Sequence, residues 1–149
     1  MNDYQRWLDE AKDPVIHQEL VKMTPEQIEA AFYKDLEFGT GGLRGILGAG
    51  SACLNIYTVG KISQGISNFL NRKEGKKTIA ISYDSRINST LFAKTAASVY
   101  AANGLHVYLY KELMPTPRLS YAARYFKAAA GAMVTASHNP KQYNGYKVY

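Results

Sequence analysis

The sequence predicts an α/β protein: a three-layer α/β/α sandwich with a mostly parallel mixed sheet, preceded by an N-terminal helical extension. Three observations predict it. Apolar residues Ile56, Val59, Ile62, Ile66, Phe69 and Leu70 recur at helical spacing, and a second helical stretch runs from about Ser89 to Asn103. Short β-rich runs at Thr78 to Tyr83, Leu105 to Tyr110 and Ala128 to Val134 alternate with these helices. That alternation implies a largely parallel sheet covered on both faces. The 149 residues are 46% hydrophobic, enough for one buried core.

In chain order, residues 1–36 read as a helical extension with no evident chemistry, expected to pack against the main domain at 37–149. Thr24 caps a helix, Pro25 takes its first turn and Gln27 completes a capping box, with Met23 and Ile28 placed for a hydrophobic staple. After the glycine-rich segment from Phe38 comes the first long helix, closed by Gly75. The run Thr78 to Tyr83 ends at Asp84-Ser85-Arg86, and the second helix stops at Gly104. Pro115-Thr116-Pro117 then opens a third helix to about Lys127. Ala128 to Val134 is the last core strand before Thr135-Ala136-Ser137-His138-Asn139-Pro140, and an extended segment from Tyr143 follows.

Composition narrows the function classes. The single cysteine, Cys53, permits no internal disulfide and suggests a reducing compartment. No apolar run approaches the roughly 20 residues of a membrane span, and the acidic N-terminus is no signal peptide, so a cytoplasmic location is the default. The sequon Asn88-Ser89-Thr90 is read as chance. Net charge is +6, which admits nucleic acid, an anionic membrane or phosphorylated substrates. The densest basic run, Arg72-Lys73 to Lys76-Lys77, suits a helix C-terminus, and no nucleic-acid motif accompanies it. The twelve tyrosines are scattered. Neither nucleic acid nor membrane is therefore expected as a partner.

The chemistry concentrates at loops. Ser137 lies on a tight loop after a buried strand, and Asn139-Pro140 forces a turn because the residue before proline leaves the helical region. Such strand ends are where α/β sheets place ligands. Lys147 returns on the next extended segment and brings positive charge towards it. A Ser137-His138 hydrolase pair is disfavoured, since neighbours in extended backbone point apart and no G-x-S-x-G elbow is present. The run Gly39-Thr40-Gly41-Gly42-Leu43-Arg44-Gly45 matches neither common phosphate fingerprint. Its glycines allow close backbone approach, and Arg44 offers a bidentate donor to phosphate. Asp84-Ser85-Arg86 also ends a strand on the ligand edge, although a structural Asp84–Arg86 pair accounts for it equally well.

Taken together, Phe38 to Gly45, Asn55-Ile56-Tyr57-Thr58-Val59, Tyr83 to Arg86, Thr116-Pro117, and Thr135 to Pro140 followed by Tyr143-Asn144-Gly145-Tyr146-Lys147 resemble, in order, the α-D-phosphohexomutases. This is the phosphoglucomutase/phosphomannomutase family, and the likeness runs from Phe38 to the last residue. The resemblance implies that Ser137 carries a phosphoryl group, donates it to a hexose phosphate and recovers one from a bisphosphate intermediate. It further implies that His138 positions substrate or a proton, that Lys147 assists proton transfer or steadies the transferred group, and that Arg44 faces the phosphoserine. Thr40, Gly41, Asn139, Asp84 and Arg86 would bind phosphate or support the site. Mg²⁺ would be held by aspartates of a following domain and by one oxygen of the Ser137 phosphate, with hexose 1,6-bisphosphate as activator.

The resemblance also makes the chain an N-terminal domain, expected to be inactive without the remaining domains of the same enzyme and to bind Mg²⁺ weakly. Two departures stand out: Ala52-Cys53-Leu54, where relatives often carry a polar, arginine-containing stretch, and Gly60, where they commonly have a basic residue. The glycine-rich form leans towards the phosphoglucomutase branch that includes pentose mutases, while sugar choice and oligomeric state stay open. The competing reading is a non-catalytic phosphosugar- or anion-binding module, which rests on the +6 charge.

Overall fold

The structure, a computed structural model, describes residues 3–36, 42–72, 77–83, 88–109, 130–134 and 143–148. Three short helices come first: α1 (Asp3–Glu10), α2 (Pro14–Val21) and α3 (Pro25–Phe32). Then follow β1 (Gly42–Ile46), α4 (Ile56–Arg72), β2 (Thr78–Tyr83), α5 (Ser89–Ala102), β3 (His106–Leu109), β4 (Ala130–Val134) and β5 (Tyr143–Val148). The helix expected after Pro117 lies outside the described residues.

The strands form one sheet in the order β1-β5-β4-β2-β3. β2 pairs in parallel with both β3 and β4, whereas β5 runs antiparallel between β4 and β1. Four strands therefore share one direction and β5 alone opposes them, which is the mostly parallel mixed sheet expected. Ile79 to Tyr83 of β2 are buried in unbroken succession. Since successive strand residues face opposite sides, both faces of the sheet are covered at this central strand.

The parallel β2–β3 pair needs a crossover, and α5 supplies it. The helix ends at Asn103, and Gly104, at φ 82°, adopts the left-handed conformation that glycine tolerates. Leu105 N then donates to Tyr100 O at 3.1 Å, closing the last turn. Phe92, Ala93, Ala96 and Tyr100 of α5 join Ile79, Ile81, Val134 and Tyr146 in the main core.

Helix α4 packs differently from its apolar spacing. Phe69 is 55% exposed, and Val59, Ser63, Ser67 and Leu70 form the buried stripe. Ile56, Ile62 and Ile66 flank it, half buried. Two serines can line a helix interface because they are small and fully bonded: Ser67 Oγ donates to Ser63 O at 2.8 Å, and Ser63 Oγ meets the Tyr146 hydroxyl at 3.2 Å.

The capping box expected at the start of α3 is present, and α2 is capped as well. Gln27 N donates to Thr24 Oγ1 at 3.2 Å and Thr24 N to Gln27 Oε1 at 2.9 Å, the reciprocal bonds of a capping box. Asp13 caps α2 by accepting from Ile16 N. A second core of Ile16, Leu20 and Ala49 joins this extension to the segment before α4. Trp7 lies edge-on to both Phe32 and Tyr57, with ring centroids 5.6 and 5.5 Å away. The Tyr57 hydroxyl accepts from Lys12 N and Asp13 N at 2.9 and 2.8 Å.

Candidate functional site

The sheet register determines which chain segments can meet. Tyr83 and Val134, the last residues of β2 and β4, are direct partners in the parallel ladder. Asp84 and Arg86 follow the first in sequence, and Ser137, His138 and Asn139 follow the second. These five residues, like Thr40 and Gly41, lie outside the described residues. Two of the sequence-nominated residues fall on described strands. Arg44 sits on β1, exposed, between the buried Leu43 and Gly45. Lys147 sits on β5, its backbone paired with Met133 of β4 and Gly42 of β1. Arg44 pairs with Gly145, two residues before Lys147 on the neighbouring strand. The two cationic positions thus occupy adjacent strands, of which the one bearing Lys147 lies beside the strand that leads into the serine segment.

Three polar clusters hold this frame. The first centres on Asn55, only 3% exposed. Its Oδ1 accepts from Tyr57 N at 3.0 Å and Thr58 N at 3.1 Å, which caps α4. Its Nδ2 donates to Gly48 O at 2.8 Å and Gly50 O at 3.1 Å, drawing the preceding loop onto the helix start. Thr58 Oγ1 accepts in return from Asn55 N at 2.9 Å. Gly50 is held at φ 117°, and a Cβ there would lie 2.4 Å from Ala31 O, so the loop can pass α3 only with glycine.

The second cluster ties β5 to both helices of the covering layer. The Tyr146 hydroxyl bonds to Tyr100 of α5 and to Ser63 of α4. Burial pushes the Tyr146 phenol up to about 12, and burial together with the neighbouring Tyr146 pushes Tyr100 upward as well. Both phenols therefore stay neutral across the physiological range and act as hydrogen-bonding anchors.

The third cluster joins β5 to the start of α5. Asn144 is fully buried and its Nδ2 donates to Ser89 Oγ at 3.0 Å, while its Oδ1 accepts from Gly145 N at 2.8 Å. Asn88, just before the helix, has φ 65°, a left-handed conformation that asparagine adopts more readily than most residues.

Sequence reasoning placed Asn55, Asn144 and Tyr146 within motifs but gave them no role. Asn55 was readable, because asparagine directly before a periodic apolar run signals an N-cap. The Asn144–Ser89 and Tyr146–Tyr100 pairs span 55 and 46 residues and leave no local trace. Among the described residues, no three His, Cys, Asp or Glu side chains converge as a metal site would require. No helix among them is long and apolar enough to cross a membrane.

The mixed sheet and the helices packed on it define an α/β domain, and the comparisons agree. Residues 35–149 match the family described as phosphoglucomutase/phosphomannomutase, alpha/beta/alpha domain I. The chain belongs to the phosphoglucomutase/phosphomannomutase family. It is 41% identical over 143 residues to a phosphoglucomutase of Staphylococcus haemolyticus, covering 96% of this chain and 26% of that protein. A phosphoglucomutase of Staphylococcus aureus is 41% identical over 147 residues, covering 99% of this chain and 27% of that one. Among solved structures, a protein of Thermus thermophilus provisionally described as a phosphomannomutase superimposes with a TM-score of 0.71 at 36% identity, over 77% of this chain and 25% of its own. A phosphoglucomutase/phosphomannomutase family protein of Burkholderia thailandensis shares the fold, with a TM-score of 0.61 at 23% identity over 72% of this chain and 24% of its own. The chain thus spans about a quarter of the length of the relatives it matches.

Proposed function

We propose that this chain is the catalytic-serine domain of a phosphohexomutase that interconverts hexose 1-phosphate and hexose 6-phosphate. The observation that carries the reading is the match of residues 35–149 to domain I of the family, joined to the register that pairs Tyr83 with Val134 at the ends of β2 and β4. That register favours adjacent exits for the segments bearing Asp84–Arg86 and Ser137. In the proposed cycle the phosphoryl group leaves the Oγ of phospho-Ser137 for a free hydroxyl of the hexose phosphate, giving a hexose 1,6-bisphosphate. The other phosphoryl group then passes from the sugar back to Ser137, which restores the phosphoenzyme and releases the isomeric monophosphate.

Such transfer depends mainly on positioning and on stabilising charge spread over the phosphoryl oxygens. Arg44 and Lys147 would provide cations, His138 would orient substrate or hold a proton, and Thr40, Gly41 and Asn139 would meet phosphate oxygens. Mg²⁺, which favours oxygen ligands, would neutralise phosphate charge; this chain's ligand to it would be the Ser137 phosphate. Its remaining ligands would be aspartates of a following domain. The domain alone is then inactive and needs the rest of the protein for sugar recognition.

The test is phosphosite mapping by mass spectrometry on the full-length protein after incubation with glucose 1,6-bisphosphate and Mg²⁺. The expected result is phosphate on Ser137, absent from a Ser137→Ala protein that folds normally and has lost turnover. An unmodified Ser137 in the folded protein would transfer the assignment to a phosphosugar-binding module.

A further inference from the structure

Two connections, one after β2 and one after β4, carry five of the nominated residues, and each leads in sequence to a described element. The first returns at Asn88–Ser89, where α5 starts, and the second at Tyr143–Asn144, where β5 starts. Their departure points are already paired, Tyr83 to Val134. Their return points are joined by one side-chain bond, Asn144 Nδ2 to Ser89 Oγ at 3.0 Å, between residues 0% and 1% exposed.

We propose that Asn144 is a positioning residue of the phosphoryl-transfer site, locking the return ends of the two catalytic connections to each other through Ser89. This rests on the functional reading above. The geometry supports a positioning role on three counts. Asn144 Oδ1 is already engaged by Gly145 N, which fixes the amide so that Nδ2 points at Ser89. Ser89 is the first residue of α5, so its hydroxyl moves with the helix that packs against β2 and β4. Asn144 pairs with Gly45 of β1 while Gly145 pairs with Arg44, so the same residue that grips α5 also sets the backbone beside the proposed phosphate-binding arginine. Without the bond, the departure points stay aligned by the sheet, but the return points have lost their direct link. A misplacement of reacting groups by an ångström is costly in rate, whereas overall substrate affinity depends on contacts elsewhere.

The experiment uses the full-length protein with Ser89→Ala, which deletes the acceptor, and Ser89→Thr, which keeps a hydroxyl. Hydrogen exchange is read in peptides covering 84–92 and 135–148, with turnover of glucose 1-phosphate in parallel. In Ser89→Ala, exchange is expected to rise about fivefold to tenfold in both peptides, the scale of one buried hydrogen bond. Turnover number should fall by a similar factor with KM held within about twofold, and Ser89→Thr should recover both readouts. A change confined to 84–92, or lowered thermal stability with kcat and exchange in 135–148 unaltered, overturns the proposal. Should Ser89→Ala not fold, the wild-type protein decides: the two peptides must share one opening free energy as denaturant is raised, and separate openings overturn it. A wild-type protein without turnover defeats the functional reading alone, because the exchange measurements still test the lock.

Discussion

Asn55 offers the sharpest test of how the frame is built, because a general rule and the local geometry predict opposite outcomes for one substitution. Asparagine and aspartate are about equally good helix N-caps. A cap-only account therefore predicts that Asn55→Asp is nearly neutral. The structure predicts otherwise. The carboxylate keeps the acceptor facing Tyr57 N and Thr58 N, but its second oxygen replaces a donor lying 2.8 Å from Gly48 O and 3.1 Å from Gly50 O. Oxygen then faces oxygen at a site 3% exposed. Asn55→Ala removes the cap, at about 1 kcal/mol, and leaves the Gly48 carbonyl short of a partner, at about 1–3 kcal/mol; a total near 3 kcal/mol is expected. Asn55→Asp should cost at least as much at pH 7, since a charge is buried among acceptors. Lowering the pH to about 4 should recover part of that loss, because a protonated carboxyl can donate to Gly48 O as the amide did. Urea titrations of wild type and both variants at the two pH values measure this. An Asp variant within about 0.5 kcal/mol of wild type at pH 7 would refute the donor role assigned to Nδ2.

Alkaline pH should weaken the fold through the buried phenols. Tyr146 has its ionisation raised from 10 to about 12 in the folded state, so its contribution is complete below pH 10 and is lost as pH climbs to about 12. The loss is on the order of 3 kcal/mol, read as a falling urea midpoint between pH 9 and 12, and the combined Tyr100→Phe and Tyr146→Phe protein should show a flatter profile. Gly50→Ala should destabilise by about 2 kcal/mol or more, because its φ is 117° and its Cβ would sit 2.4 Å from Ala31 O; a melting temperature within error of wild type would contradict this. Gly65→Ala, inside α4 with nothing within 4 Å of the added Cβ, should instead stabilise by about 1 kcal/mol in the same assay.

Much of the fold was legible because its signals are local. The capping box at Thr24, the run Thr78 to Tyr83 and the stop at Gly104 each depend on neighbours within four residues, and each appears in the structure where the pattern put it. The α4 interface was misread for the same reason. Apolar spacing nominated Phe69, but the buried stripe runs through Ser63 and Ser67, and the Ser63 hydroxyl is satisfied by one 83 residues away on Tyr146. Nothing in the α4 sequence announces that partner. The insertion of β5 antiparallel between β1 and β4 was equally silent, since the order of strands depends on pairings rather than on the strands' own residues. At the site, the positions of Arg44 and Lys147 on neighbouring strands follow from that insertion; their residue types alone nominated them without relating them.

This division between local motif and distant frame makes a consequence testable by comparing variants rather than single effects. Ser137, proposed for chemistry, follows β4 in sequence and should affect turnover with little change in stability. Asn55, Tyr100 and Tyr146 are buried and bonded across elements, so their loss should lower stability first and turnover only through the fold. Asn144 belongs to neither group. It is buried as deeply as the frame residues, yet its partner Ser89 follows the segment proposed to support the site. It should therefore break the separation, its substitution lowering both stability and kcat. If Asn144 and Ser89 substitutions lowered stability along the same line as Tyr100 and Tyr146, with turnover of the folded fraction unchanged, β5 would be anchored only as a strand. The two connections would then be positioned by the sheet ladder between Tyr83 and Val134 alone.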